Sequence, residues 1–358
     1  MKALVSRAGK VQMEIRPIPE PGYGEVVVRT TSASICSADP AAAEGSFDVA
    51  SAGGTGNGSL VLGHEGVGVV HMVGAGVEGF ARGDRVMTTS TASCGHCENC
   101  QRGVGGQCRG IEWGGYALGV SRDGCLAEYF VVPYAQFNLA HVPAGTSDEG
   151  ALFVADSFAT GSSAIEGAQL PFGGTVLVLG QGHIGLGATA AARIAGAGLV
   201  ITVKNRPGGE ELSISMGADL ALNHTDHDVR AEIERITEGN GVDLAIEASG
   251  AVPAFELAVE LTRLGGQISG VAEYSGGGAD RLPIELENWG WGVGDKSIRS
   301  RMQPPGSART KRLLRLIASN RVDPAPMFTH EYDFDDVLQA FEDIRGGIPG
   351  MVKPLIRF

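Results

Sequence analysis

Thr175-Val-Leu-Val-Leu179-Gly180-Gln-Gly182-His183-Ile184-Gly185 is the stretch that decides the fold of this 358-residue chain. Its first five residues are apolar or β-branched and read as a buried strand. The glycines then turn the chain into an Ala-rich helix expected over about 184–195. Glycines at 180, 182 and 185 make a GxGxxG pattern, and a strand before it with a helix after it is the context that gives the pattern meaning. Gly180 and Gly182 permit the sharp turn and let a pyrophosphate approach the backbone, while Gly185 lets helix and strand pack closely. The helix start presents unsatisfied N–H groups to the phosphates, so Gly180, Gly182, His183, Ile184 and Gly185 are the candidate dinucleotide cradle. The competing reading is a Gly-rich turn in an α/β domain that binds nothing.

Toward the C-terminus, Leu199-Val-Ile-Thr-Val203, Val242-Asp-Leu-Ala-Ile246 and Gln267-Ile-Ser-Gly-Val271 are strand-like. They alternate with helical patterns near 210–216 and 253–264. Such alternation predicts βαβ units and a parallel sheet covered on both faces. A site for NAD usually places an acid about twenty residues past the glycines, to accept from the ribose 2′-hydroxyl. Here Lys204-Asn205-Arg206-Pro207 follows the strand, and no acid comes before Glu210. Lys204 and Arg206 would attract a 2′-phosphate and Asn205 could donate to it, which favours NADP(H); otherwise these are solvated surface cations.

Toward the N-terminus the texture changes near residue 150. Glu25-Val-Val-Val-Arg29, Gly66-Val-Gly-Val-Val70, Asp84-Arg-Val-Met87 and Glu128-Tyr-Phe-Val-Val132 are short strand-like runs between turns, as in a β-rich, barrel-like domain. The last stretch, with helices near 310–319 and 334–344 and the strand Val352–Phe358, reads as a return to that domain. The expected organisation is α/β, with one domain over 1–153 and 299–358 and a dinucleotide-binding domain over 154–298.

Cys94, Cys97, Cys100 and Cys108 form the pattern C-x2-C-x2-C-x7-C. Four thiolates brought together by Gly-rich turns suit Zn²⁺ in a closed tetrahedral shell, which leaves no position for a substrate and is therefore structural. Two disulfides would need an oxidising compartment, and Met-Lys-Ala-Leu-Val-Ser-Arg-Ala-Gly-Lys has no apolar segment for export, which makes the cytoplasm the expected location. An iron–sulfur cluster is the remaining rival. A net charge of −13 argues against a nucleic-acid partner, and no apolar run reaches the length of a membrane span.

Three scattered segments carry further metal-binding residue types. Cys36 follows a strand-like run, His64 and Glu65 lie in Leu62-Gly-His-Glu-Gly-Val-Gly68, and Asp156 lies in Val154-Ala-Asp-Ser-Phe-Ala-Thr-Gly161. Spacing alone does not unite them. However, Gly63-His-Glu65, Gly83-Asp-Arg-Val86, the cysteine quartet, Asp123-Gly-Cys-Leu-Ala-Glu-Tyr129, the GxGxxG and the terminal strand occur in one order. In that order, and over almost its whole length, the chain resembles the zinc-dependent medium-chain alcohol dehydrogenases.

The resemblance implies a GroES-like catalytic domain beside a Rossmann domain. It also implies a catalytic zinc on Cys36, His64 and Asp156, with Glu65 as an adjacent carboxylate that enters or leaves the shell. An aspartate as third ligand is similar to the microbial NADP-dependent secondary alcohol dehydrogenases, and Trp113 falls where that subgroup carries a substrate-pocket tryptophan. The implied activity is hydride transfer between NADP(H) and an alcohol, ketone or aldehyde, in a homotetramer or homodimer built through the Rossmann domains. One departure stands out: Ala38 and Ala41 occupy positions where the family carries proton-relaying residues, which leaves Ser37, water or a substrate hydroxyl to take that role. Alternative readings are a polyol, sugar or natural-product alcohol dehydrogenase, or a cofactor-binding member without turnover.

Overall fold

The computed structural model describes residues 1–44, 59–111, 115–204, 208–274 and 280–358. It divides into two compact units, Met1–Asp156 with Gln303–Phe358, and Ser157–Met302.

The second unit is built on a six-stranded, all-parallel sheet. Across the sheet lie Leu220–Asn223, Leu199–Lys204, Thr175–Leu179, Val242–Glu247, Thr262–Gly270 and Ser297–Ser300. Counted within the unit this is the order 3-2-1-4-5-6 of a Rossmann sheet, in which ligands bind at the carboxyl ends of strands 1 and 4, where the winding reverses. Alternation along Thr175–Leu179 explains why both faces are covered. Leu177 and Leu179 enter a core with Ile201, Ile233 and Phe255, while Val176 and Val178 enter another with Ala188, Ala192 and Ile246. The helix after the glycines spans His183–Ile194, one residue earlier at each end than its sequence pattern predicts. The helix expected over 253–264 runs over Val252–Leu261; Thr262 already has extended backbone and opens the next strand.

The first unit holds a sheet ordered Phe328–Asp333, Lys353–Arg357, Val26–Ser34, Glu65–Val73, Arg85–Thr88 and Leu139–His141, with Tyr129–Val132 also paired to Val26–Ser34. Lys10–Ile15, Lys2–Arg7 and Ser59–Val61 make a smaller three-stranded sheet. The core over the strand ends joins Ile35, Leu62 and Leu126 to Phe334, Val337 and Phe341 of the chain's final segment. Among the described residues no helix is long and apolar enough to cross a membrane.

Candidate metal centres and cofactor loop

Strand ends bring the scattered metal-binding residues together. Cys36 follows Val26–Ser34, the strand Glu65–Val73 begins at Glu65 just after His64, and Asp156 caps the helix Asp148–Ala155. Antiparallel pairing sets Ser34 opposite Glu65, which places Cys36 and His64 at the same end of this strand pair. Gly63 makes the approach possible. Its φ is +92°, and a Cβ there would meet Leu126 Cγ at 2.5 Å.

One donor atom from each of Cys36, His64, Glu65 and Asp156 lies within 4.8 Å of all the others. All four side chains are buried, Glu65 completely. Asp39 orients two of them: its Oδ2 accepts from the Cys36 backbone N–H at 2.7 Å, and its Oδ1 lies 3.2 Å from His64 Nδ1. His64 Nε2 is thereby turned toward the cluster, 3.8 Å from Glu65 Oε1.

The electrostatics are those of a site short of positive charge. Burial pushes the Glu65 carboxyl up to about 7, although the Lys353 ammonium beside it pulls the other way. Burial opposes the His64 imidazolium, yet the Asp39 carboxylate and the Cys36 sulfur hold its pKa well above the ordinary value. Lys353 is fully buried and ion-paired to Glu65 Oε1, while Glu65 Oε2 is buried without a hydrogen-bond partner. Cys36, Glu65 and Asp156 thus act on the buried ammonium of Lys353, while Asp39 faces the His64 ring. A thiolate, an imidazole and carboxylates are the donor types zinc takes, and a dication supplies the missing charge.

The cysteine quartet lies on the loop around the short helix Glu98–Gln101. Sulfur separations are 3.5 Å for Cys97–Cys100, 3.9 Å for Cys97–Cys108 and 4.0 Å for Cys94–Cys100. Disulfide sulfurs lie about 2.05 Å apart, whereas four sulfurs at about 2.3 Å from one tetrahedral zinc lie about 3.8 Å from each other. The spacing fits the metal, and no disulfide joins any of the six cysteines. Backbone N–H groups of Cys94, Cys97, Arg109 and Gly110 donate to the sulfurs at 3.3–3.4 Å. Such bonds from Arg109 and Cys100 pull Cys97 down to about 5, while burial lifts Cys100 to about 12. Metal binding here displaces protons.

In the second unit Gly180, with φ +95°, backs onto Ser249, where a Cβ would meet the Ser249 Cβ at 2.8 Å. A Cβ at Gly185 would overlap the Gly180 carbonyl oxygen, but one at Gly182 would find nothing within 4 Å. The open side of the loop is therefore at Gly182, the N-cap of the twelve-residue helix, which has no side-chain cap bond. This is the space a pyrophosphate needs, and the residues fit a dinucleotide. His183 lies in the first turn, its Nδ1 3.1 Å from Ser157 Oγ, and Ile184 packs beneath against the core of Val176 and Val178.

Lys204 departs from expectation. Its ammonium is buried, paired to Glu210 Oε1 at 2.6 Å and donating to the Gly208 carbonyl, so it braces the turn rather than standing open to a phosphate. Asn205, Arg206 and Trp113 lie outside the described residues. Ser37 is exposed at the N-cap of Ala38–Ala43 and its hydroxyl makes no cap bond.

Sequence reasoning passed over four residues. Lys353 signals itself only as a lysine inside an apolar strand, and Ser90 and Gln303 carry no local signal. Glu247 ends the apolar strand Val242–Glu247 directly opposite Leu179. Fully buried, it accepts from Ser249 N–H at 2.7 Å and Tyr274 O–H at 2.6 Å, and so fixes the turn against which Gly180 rests.

Comparison with known proteins agrees with this geometry. The family described as alcohol dehydrogenase GroES-like domain matches residues 22–144, and zinc-binding dehydrogenase matches 184–318. An alcohol dehydrogenase of Cupriavidus necator is 34% identical over 100% of this chain and 98% of its own. The NADP-dependent isopropanol dehydrogenase of Thermoanaerobacter brockii is 34% identical over 97% of each. The solved alcohol dehydrogenase TADH from Thermus sp. ATN1 superposes with a TM-score of 0.86 at 27% identity, covering 100% of this chain and 99% of that one. With both metal-ligand clusters and the Rossmann order in place, the chain belongs to the zinc-dependent medium-chain alcohol dehydrogenases.

Proposed function

We propose that this enzyme interconverts secondary alcohols and ketones with NADP(H), with Cys36, His64 and Asp156 holding a catalytic zinc and the cysteine quartet holding a structural one. The observation that carries the reading is the buried convergence of Cys36, His64, Glu65 and Asp156 within 4.8 Å, apart from the closed quartet. When bound, zinc supplies Lewis acidity toward the substrate oxygen, and the dinucleotide takes or returns the hydride.

The protein's own contribution is positional. Asp39 holds Cys36 and His64 in register, Lys353 restrains one oxygen of Glu65, and the glycine loop offers backbone N–H groups to the pyrophosphate. Arg206 and Asn205 are the proposed 2′-phosphate contacts. Lys204 is not proposed as such a contact, since its charge is already engaged by Glu210. Likeness to relatives named for NADP-dependent isopropanol dehydrogenase supports both the cofactor and the substrate class. Ala38 has no hydroxyl, so the alcohol proton leaves through water or through Ser37, which is solvent-exposed.

That same alanine favours a second reading, a polyol or hydroxylated natural-product substrate whose own hydroxyl passes the proton. Trp113 is proposed as a wall of the substrate pocket, and a cytoplasmic location suits six cysteines without disulfides. A homo-oligomer built through the Rossmann unit is proposed from its exposed edge strand Ser297–Ser300.

The test is oxidation of NADPH and of NADH with a panel of ketones, aldehydes and ketoses, with and without a chelator. The reading expects chelator-sensitive turnover of simple ketones with NADPH preferred. Turnover confined to ketoses selects the polyol reading. Absence of turnover on every compound while NADPH still binds rejects the enzyme reading.

A further inference from the structure

The helix Asp148–Ala155 stops one residue before Ser157–Glu166 begins, and Asp156 occupies the break with φ −138° and ψ −65°. Its two carboxylate oxygens face different neighbours. Oδ2 lies 3.8 Å from Cys36 Sγ, on the side of the metal-ligand cluster. Oδ1 accepts a hydrogen bond from Ser90 Oγ at 3.0 Å. The same Ser90 Oγ lies 2.5 Å from Gln303 Oε1, and the Ala155 carbonyl accepts from Ser90 N–H at 2.8 Å and from Gln303 Nε2 at 3.4 Å. Ser90, Gln303 and Asp156 are 4%, 2% and 6% exposed, so solvent does not compete for these bonds. Asp156 is the last residue of the first unit before the chain leaves it, and Gln303 is the first on its return. Ser90 thus ties both ends to the turn that carries the aspartate.

We propose that Ser90 and Gln303 are positioning residues that make Asp156 a one-oxygen metal ligand and so keep the substrate's coordination position open. The proposal deepens the reading of this cluster as a catalytic metal centre and rests on it. A carboxylate ligates through one oxygen or through both. With Cys36, His64 and a solvent or substrate oxygen, a one-oxygen Asp156 gives a four-coordinate shell whose fourth position is exchangeable, whereas a two-oxygen Asp156 crowds that position and raises the shell to five. Engaging Oδ1 in a hydrogen bond selects the one-oxygen arrangement. The single Ser90 proton serves two acceptors, Gln303 Oε1 at 2.5 Å and the charged Asp156 Oδ1 at 3.0 Å, as a bifurcated hydrogen bond. Gln303, whose Nε2 donates to the Ala155 carbonyl, accepts from the same hydroxyl and so holds Ser90 Oγ beside Asp156. A thiolate at position 156 would have a single donor atom and no need of this clamp.

The test uses the full-length protein with cobalt in this site and zinc kept in the quartet. Four-coordinate cobalt absorbs visible light more strongly than five-coordinate cobalt, so the spectrum reports the shell without reference to activity. Ser90→Ala is expected to weaken the absorption and to lower metal affinity about 10- to 100-fold. Ser90→Thr, which keeps the hydroxyl, should restore both readouts. In an Asp156→Cys background, Ser90→Ala should change neither. A wild-type spectrum and affinity in Ser90→Ala, no rescue by Ser90→Thr, or an equal change in the Asp156→Cys background each overturns the positioning role. Failure of the underlying reading looks different: Asp156→Ala would then keep the wild-type cobalt spectrum.

Discussion

At the scale of single residues, the fully buried Lys353–Glu65 pair ties the C-terminal strand of the first unit to its metal-ligand cluster. Removing one partner of a buried ion pair strands the other, which costs about 3–5 kcal/mol. Lys353→Met should lower unfolding free energy in denaturant by that amount, and Glu65→Gln added to it should recover most of the loss. A single variant as stable as wild type would mean that the charge on Glu65 is balanced elsewhere. Legibility at this scale was uneven. His64, Glu65, Cys36 and Asp156 were accessible because the resemblance supplied an order of motifs, and the structure brings their donor atoms together. Lys353 was not, because its partner lies 288 residues away and pairing across a sheet leaves no local pattern. A sequence shows the charge of Lys204, which reads as open to a phosphate, but not the acid six residues on that folds back to engage it.

At the scale of elements, alternation and glycine spacing carried the reading. Thr175–Leu179 is a strand and His183–Ile194 a helix because apolar residues fill both sheet faces and Gly180 alone tolerates the turn between them. The edge strand Ser297–Ser300 was not anticipated, since its four residues are all exposed and show no buried face. It pairs on one side with Thr262–Gly270, and Trp291 and Val293 just before it are 71% and 83% exposed. A parallel edge with apolar flanks invites a second copy of the same strand. Light scattering should therefore give a multiple of the chain mass, and Ile298→Asp should shift it toward one chain. A monomeric wild-type protein, or an oligomer indifferent to that substitution, removes this strand from the interface.

At the scale of the whole molecule, fold class followed from texture: β-rich before about residue 150, strand–helix alternation after it, and a return of strand and helix at the end. The Rossmann strand order 3-2-1-4-5-6 and the likeness to alcohol dehydrogenases bear that out. The two metal-ligand clusters differ in the way that catalytic and structural zinc differ. One has four cysteines alone, and the other has mixed donors with an orphaned buried carboxylate oxygen. Substrate identity is not legible, because it depends on pocket shape rather than on ligand chemistry. The central claim is that Cys36, His64 and Asp156 hold a second zinc on which turnover depends, and elemental analysis of wild-type protein beside Asp156→Ala tests it most directly. The account predicts about two zinc ions per chain in the wild type, and about one in the variant, retained by the quartet, with ketone reduction lost. Equal zinc content in the two proteins, or undiminished turnover by the variant, would contradict it.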